Sequence, residues 1–86
     1  MSEPYRVFIR KEAFDFLSRC RRAERERTLR FLDSLANSPF RRGDYSEKDD
    51  AGRPLEVVVD GRLAVVFWPD HPVKEVKVVA IRFADR

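Results

Sequence analysis

The sequence holds a single cysteine, Cys20, and a single histidine, His71, in 86 residues. One thiol forms no intrachain disulfide, so a reducing cytoplasm is the expected compartment. No apolar run approaches the roughly 20 residues that cross a bilayer, so no membrane association is expected. Met1-Ser2-Glu3-Pro4 has no basic stretch leading into an apolar one, and no secretion signal is expected. No Cys/His spacing suggests a metal, no glycine-rich segment suggests a phosphate cradle, and no Ser/His/Asp nucleophile pattern is visible. Neither a metal nor a cofactor is expected. Internal repeats and low-complexity segments are absent.

What is present is charge. Hydrophobic residues make up 43% and charged residues 38%, too charged for a membrane protein and too apolar for a disordered one. Eighteen Lys and Arg, most of them Arg, oppose fifteen Asp and Glu for a net charge of +3. Half of the basic residues lie between Arg19 and Lys48. Arginine forks onto phosphate and carboxylate, so a polyanion or an acidic protein is the expected partner. A solvated, salt-bridged helical hairpin explains the helix charges equally well. The length allows one domain over 1–86, with one modest core.

Tyr5 to Arg10 is a short β-rich run and predicts a first strand. From Glu12 to Arg21, Ala13, Phe14, Leu17 and Cys20 recur at helical spacing. Ala23 to Asn37 repeats the pattern, with Leu29, Leu32 and Ala36 beside Thr28, Phe31 and Leu35. Charge rather than Gly or Pro marks the junction, and Asn37-Ser38-Pro39 ends the second helix. Phe40 to Gly52 reads as a long charged loop, often a functional feature in a small domain. Arg53–Val59 and Arg62–Trp68 flank Asp60-Gly61, a hairpin signal for a type I′ turn. Pro69–Pro72 makes a further turn, and Lys74–Phe83 is the last strand. The expected fold is therefore α+β and two-layered, in β-α-α-β-β-β order. A helical hairpin packs on one face of a four-stranded, mainly antiparallel sheet.

With Asp60-Gly61 as the turn, Val59 faces Arg62, Val57 faces Ala64, Leu55 faces Val66 and Arg53 faces Trp68; these residues share one side of the sheet. Leu63, Val65, Phe67, Val79, Ile81 and Phe83 are then the helix-covered core. Arg82 points to the open face with Arg53 and Arg62. Leu55, Val57, Val59, Val66 and Trp68 on that face predict an apolar patch in need of a cover. A segment of a partner protein or a second copy is the expected occupant, with Trp68, Leu55 and Val57 as contacts. Trp68 stacking a base, or simply capping the sheet, are alternatives.

This element order meets particular residues: Tyr5-Arg6-Val7-Phe8-Ile9, Leu32-x-x-Leu35-x-x-x-Pro39, Gly61-Arg62-Leu63-Ala64-Val65-Val66-Phe67, and Ile81-Arg82. Together they resemble the RelE/ParE toxin superfamily, RelE-like members above all, over nearly the whole chain. The resemblance implies the toxin of a type II toxin–antitoxin pair, bound by a cognate antitoxin. It implies translation blocked by ribosome-dependent mRNA cleavage, with ribosome and mRNA as partners. The alternatives are ParE-like inhibition of DNA gyrase without hydrolysis, or a non-toxic member acting only through antitoxin binding. Arg82 matches the family's Arg near the C-terminus. Ala64 stands where such nucleases carry Arg after the turn, and no Tyr follows Arg82.

Cutting RNA through its own 2′-hydroxyl takes a base, cations for the phosphorane and an acid for the leaving oxygen, without a metal. The catalytic candidates are Arg82 as cation and His71, Glu47 and Lys48 as acid or base. His71 is the one side chain with an unperturbed pKa near neutrality. Arg53, Arg62, Arg41, Arg42 and Arg86 are candidates for holding RNA or ribosome. For Arg82 a pairing with Asp85 or Asp70 is the structural alternative, and Cys20 is expected in the core.

Overall fold

The computed structural model describes residues 4–84; Arg86 and Asp85 lie outside the described residues. The elements run β1 (Arg6–Ile9), α1 (Lys11–Ser18), α2 (Arg22–Ala36), β2 (Tyr45–Lys48), β3 (Pro54–Asp60), β4 (Leu63–Asp70), a 3₁₀ turn (His71–Val73) and β5 (Glu75–Phe83). Both helices cover one face of a single sheet of order β1-β5-β4-β3-β2. β1 runs parallel to β5, and every other pairing is antiparallel. The two-layer α+β reading holds, but the sheet has five strands rather than four. No helix among the described residues is long and apolar enough to cross a membrane.

The extra strand, β2, lies inside the stretch read as loop. Tyr45-Ser46-Glu47-Lys48 carries no apolar alternation, because it is an edge strand with little core to face. Backbone groups and the Asp44 carboxylate hold it in place. Asp44 N–H donates to the Val57 carbonyl at 2.8 Å, and the Asp44 carboxylate accepts from Val59 N–H at 2.7 Å. Gly43 makes the approach possible: a Cβ there would lie 2.5 Å from Val57 N and 2.6 Å from Val57 O.

The hairpin register also differs from expectation. Asp60 pairs with Leu63 and Val57 with Val66, so the turn is Gly61-Arg62. Gly61 has φ +64° and Arg62 does not share the left-handed region, the pattern of a type II′ turn rather than I′. The slip is two residues, and side chains alternate with period two, so the hairpin strands keep their faces. Two ion pairs tie the turn to α2, Arg27 to Asp60 at 2.6 Å and Arg62 to Glu24 at 2.7 Å. Arg62 therefore sits on the helix side, not the open face.

On β5 the period breaks. Val66 pairs with Ala80 but Phe67 pairs with Val78, which leaves Val79 as the extra residue of a bulge. Val76, Val78 and Ile81 fill the helix-side core with Val58, Leu63, Val65 and Phe67. Val79, expected there, belongs to the open side. Phe83 stays on the helix side but half exposed, its ring edge on Phe16 at 5.1 Å. Ala13, Leu17, Thr28, Leu32 and Leu35 are the buried helix positions; Phe14 and Leu29 are exposed. At the helix junction the Arg25 guanidinium donates to the Cys20 carbonyl at 3.0 Å, which is how charge closes a bend that has no glycine.

Gly43→Ala is expected to cost about 2 kcal/mol or more, since backbone atoms rather than a mobile side chain block the methyl group. Urea unfolding monitored by Trp68 fluorescence measures it. An unchanged midpoint would mean that β2 does not dock as described.

Candidate functional site

The open side of the sheet is not a bare apolar patch. Leu55, Val57, Ala64 and Val66 form a second buried cluster there, with Val57 at 0% exposure. Fully burying a Val or Leu contributes about 2 kcal/mol, so this strip must be covered by something. Arg82 and Glu47 lie across it, and Trp68, Val79, Ala80 and Ala84 pack against it. Leu55 and Val57, expected as partner contacts, are thus hidden by the chain's own side chains; Trp68 is half-buried.

Arg82 stands on β5 directly opposite Ala64 on β4. Its partner Glu47 is on β2, with β4 and β3 in between. The Arg82 guanidinium donates from Nη2 to Glu47 Oε1 at 2.7 Å and from Nη1 to Oε2 at 3.3 Å. The small methyl of Ala64 leaves the path across the sheet open for that reach. The Tyr45 phenol lies near enough to Arg82 to favour its charged form. These contacts, Glu47 first and Tyr45 second, push the Arg82 pKa above its ordinary value, so the cation is permanent. The same hydrogen bond from Arg82 holds the Glu47 carboxyl below the ordinary carboxylate value, against a smaller opposing effect of burial. Arg82 is thus paired to Glu47, rather than to Asp70.

The structure gathers Arg82 and Glu47 and adds Tyr45. It does not bring in the other candidates. Lys48 is the next residue of β2 and points to the opposite side, beside Pro54. His71 lies past the other end of the sheet, about 20 Å from Arg82 by the length of β5. There its Nδ1 meets the Tyr5 hydroxyl at 2.7 Å and its ring stacks on Phe40 at 4.8 Å. Of the arginines, Arg53 is on the open side, 4.0 Å over the Trp68 ring and 3.4 Å from Asp49. Arg41 stacks over Phe31 of α2, and Arg42 pairs with Glu56 at 3.4 Å on the helix side. Among the described residues no group of His, Cys, Asp and Glu could hold a metal ion. Cys20 is half-buried, and burial raises its thiol pKa.

Tyr45 was missed because its signal needs β2: Tyr45 and Glu47 are two apart, one face of a strand, only if that stretch is extended.

No family model and no curated protein matches the chain. Solved structures do match, over nearly their whole length. A chain of the archaeal RelE–RelB complex from Pyrococcus horikoshii OT3 is 23% identical, covering 96% of this chain and 98% of that one, at a TM-score of 0.79. A chain of the toxin–antitoxin complex RelBE2 from Mycobacterium tuberculosis is 16% identical over 94% and 99%, at 0.78. A chain of the intact E. coli RelBE toxin–antitoxin complex is 16% identical over 95% and 99%, at 0.64. The fold is the RelE-like fold that the sequence resemblance implied.

The Arg82–Glu47 pair carries a pH signature. Because the Glu47 pKa is depressed on folding, its stabilisation is complete above the ordinary carboxylate value of 4.5 and is lost as pH falls through the folded value. Glu47→Gln is expected to lower stability by at most about 1 kcal/mol at pH 7, the pair being partly exposed. The gap to wild type closes as pH falls below the ordinary carboxylate value and through the depressed folded one. A gap that persists unchanged into acid contradicts the pairing.

Proposed function

We propose that this chain is the toxin of a RelE-type toxin–antitoxin pair, active in the cytoplasm, which blocks translation by cutting mRNA on the ribosome. The observation that supports it best is the fold likeness along the whole chain to structures of RelE-type toxins with their antitoxins. A RelB-like antitoxin is the corresponding partner of this chain.

The chemistry follows from the open-face cluster. In the free chain Arg82 is occupied by Glu47. A phosphodiester approaching Arg82 competes for the same fork, because guanidinium binds phosphate and carboxylate alike. As Arg82 turns to phosphate, Glu47 loses the hydrogen bond that depresses its pKa and becomes a stronger base. Glu47 then takes the 2′-hydroxyl proton, and the 2′-oxygen attacks the adjacent phosphorus. Arg82 offsets the charge of the phosphorane, and Tyr45 protonates the departing 5′-oxygen. The products are a 2′,3′-cyclic phosphate and a 5′-hydroxyl. The positive charge in this scheme comes from Arg82. His71, far from this cluster, is assigned a packing role.

A second reading, ParE-like inhibition of gyrase without hydrolysis, draws support from Ala64 in the position where RelE-like nucleases carry Arg. It requires no acid or base.

Induced expression in a bacterium, with and without a co-expressed antitoxin, separates them. Arrest relieved by the antitoxin, with mRNA cut at codons in a ribosome-containing extract, is the expected result. Arg82→Ala lowers cutting by about 100-fold or more, while His71→Ala stays within about threefold of wild type. Arrest with DNA damage and intact mRNA supports the second reading, and no arrest overturns both.

A further inference from the structure

Away from the Arg82 cluster, on the same open side, a cleft of about 400 Å³ is bounded by Phe8, Arg10, Arg53, Trp68, Asp70 and Lys77. Its plan follows from register. Phe8 on β1 is level with Lys77 on β5, and Lys77 is level with Trp68 on β4. Two aromatic side chains therefore stand two strand spacings apart, about 10 Å between backbones, with a lysine stem as the floor. Phe8 is 60% exposed, although the helix side of β1 offers it no reason to be aromatic. Trp68 is covered on its ring by the Arg53 guanidinium at 4.0 Å, and the Lys77 ammonium lies 5.5 Å from the ring centre.

The charges around this cleft are unequal. Lys77 is held by Asp70 at 3.0 Å and more loosely by Glu75 at 3.8 Å. Arg53 has one long contact to Asp49. Among the described residues the Arg10 guanidinium has no carboxylate partner, and it borders the cleft next to Phe8. Two aromatic walls with an uncommitted guanidinium at the rim suit a flat ring carrying an anionic group. An acidic peptide matches the cations but leaves the aromatic walls without a counterpart.

We propose that this cleft is a single-stranded RNA subsite that stacks one base between Phe8 and Trp68 and holds its phosphate on Arg10. The inference rests on the toxin reading above for its biological setting, and it names a part of the substrate path that the Arg82 cluster does not supply. The cleft lies about 15 Å along β5 from Arg82. One RNA strand running down the sheet reaches both, with the reacting phosphate at Arg82 and a base a few nucleotides away in the cleft. Stacking accepts any base, so the subsite contributes grip and direction rather than sequence preference.

Trp68 is the only tryptophan in the chain, so its fluorescence reports on the cleft it walls. The full chain is titrated with hexaadenylate, with polyphosphate of equal charge and with hexaglutamate. Hexaadenylate is expected to quench Trp68 saturably, and the two polyanions without bases are not. Phe8→Ala and Arg10→Ala each weaken binding about tenfold, with unchanged urea midpoints because both side chains are exposed. Arg82→Ala retains the quenching even where it abolishes cleavage. Absence of quenching by hexaadenylate overturns the subsite, as does equal quenching by hexaglutamate, which would assign the cleft to an acidic protein segment. Quenching without any mRNA cleavage leaves the subsite standing and removes the nuclease reading; cleavage without quenching does the reverse.

Discussion

A guanidinium and a carboxylate that meet across two intervening strands govern the uncovered side of this sheet. With two short helices, the chain can roof only one face, and it places them over Val58, Leu63, Val65, Phe67, Val76, Val78 and Ile81. The other face still carries Leu55, Val57, Ala64 and Val66, all buried. Arg82 and Glu47 cover that strip from opposite edges, apolar stems over the valines and charged ends joined. Arg53 over Trp68 continues the cover toward β1. A thin domain thereby hides apolar surface on both sides of one sheet while leaving one side polar.

The same interaction shapes the chemistry proposed for this face. A cation that binds phosphate cannot be stored bare beside a buried apolar strip, and a carboxylate base is weak while a guanidinium grips it. Pairing them satisfies both in the free chain. In the proposed mechanism a phosphate that takes Arg82 also releases Glu47, so that substrate arrival and base activation are one event. Ala64 is part of this arrangement: a long side chain there would occupy the ground that Arg82 crosses. What reads in the sequence as a missing arginine reads in the structure as a path for another one.

Much of the fold was legible because it rests on period-two and helical alternation. The helices, the hairpin strands and their faces survive a misplaced turn, since a slip of two residues moves no side chain through the sheet. Three features were not legible. β2 is held by backbone contacts at Gly43 and Asp44, and its own side chains carry no alternation. The bulge at Val79 places an ordinary β-branched residue on the unexpected side, and nothing local distinguishes Val79 from Val78. Arg62 leaves the open face because the shifted register places it in the turn, where Glu24 of α2 takes its guanidinium at 2.7 Å. At the site, Arg82 and Glu47 were each legible as candidates, whereas their pairing was not. Glu47 is 35 residues away on a strand with no apolar signature, so the pairing exists only in three dimensions. His71 drew attention by its intrinsic pKa, a property that says nothing about position.

Arg82 and Glu47 must be energetically joined, not merely near each other, for the open face to work as described. A double-mutant cycle tests that most directly, with Arg82→Ala, Glu47→Ala and the double variant compared by urea unfolding at pH 7 and low salt. A coupling of about 0.5–1 kcal/mol is expected, shrinking as salt is raised. Losses that simply add, with the double variant as unstable as the two single changes summed, would contradict it.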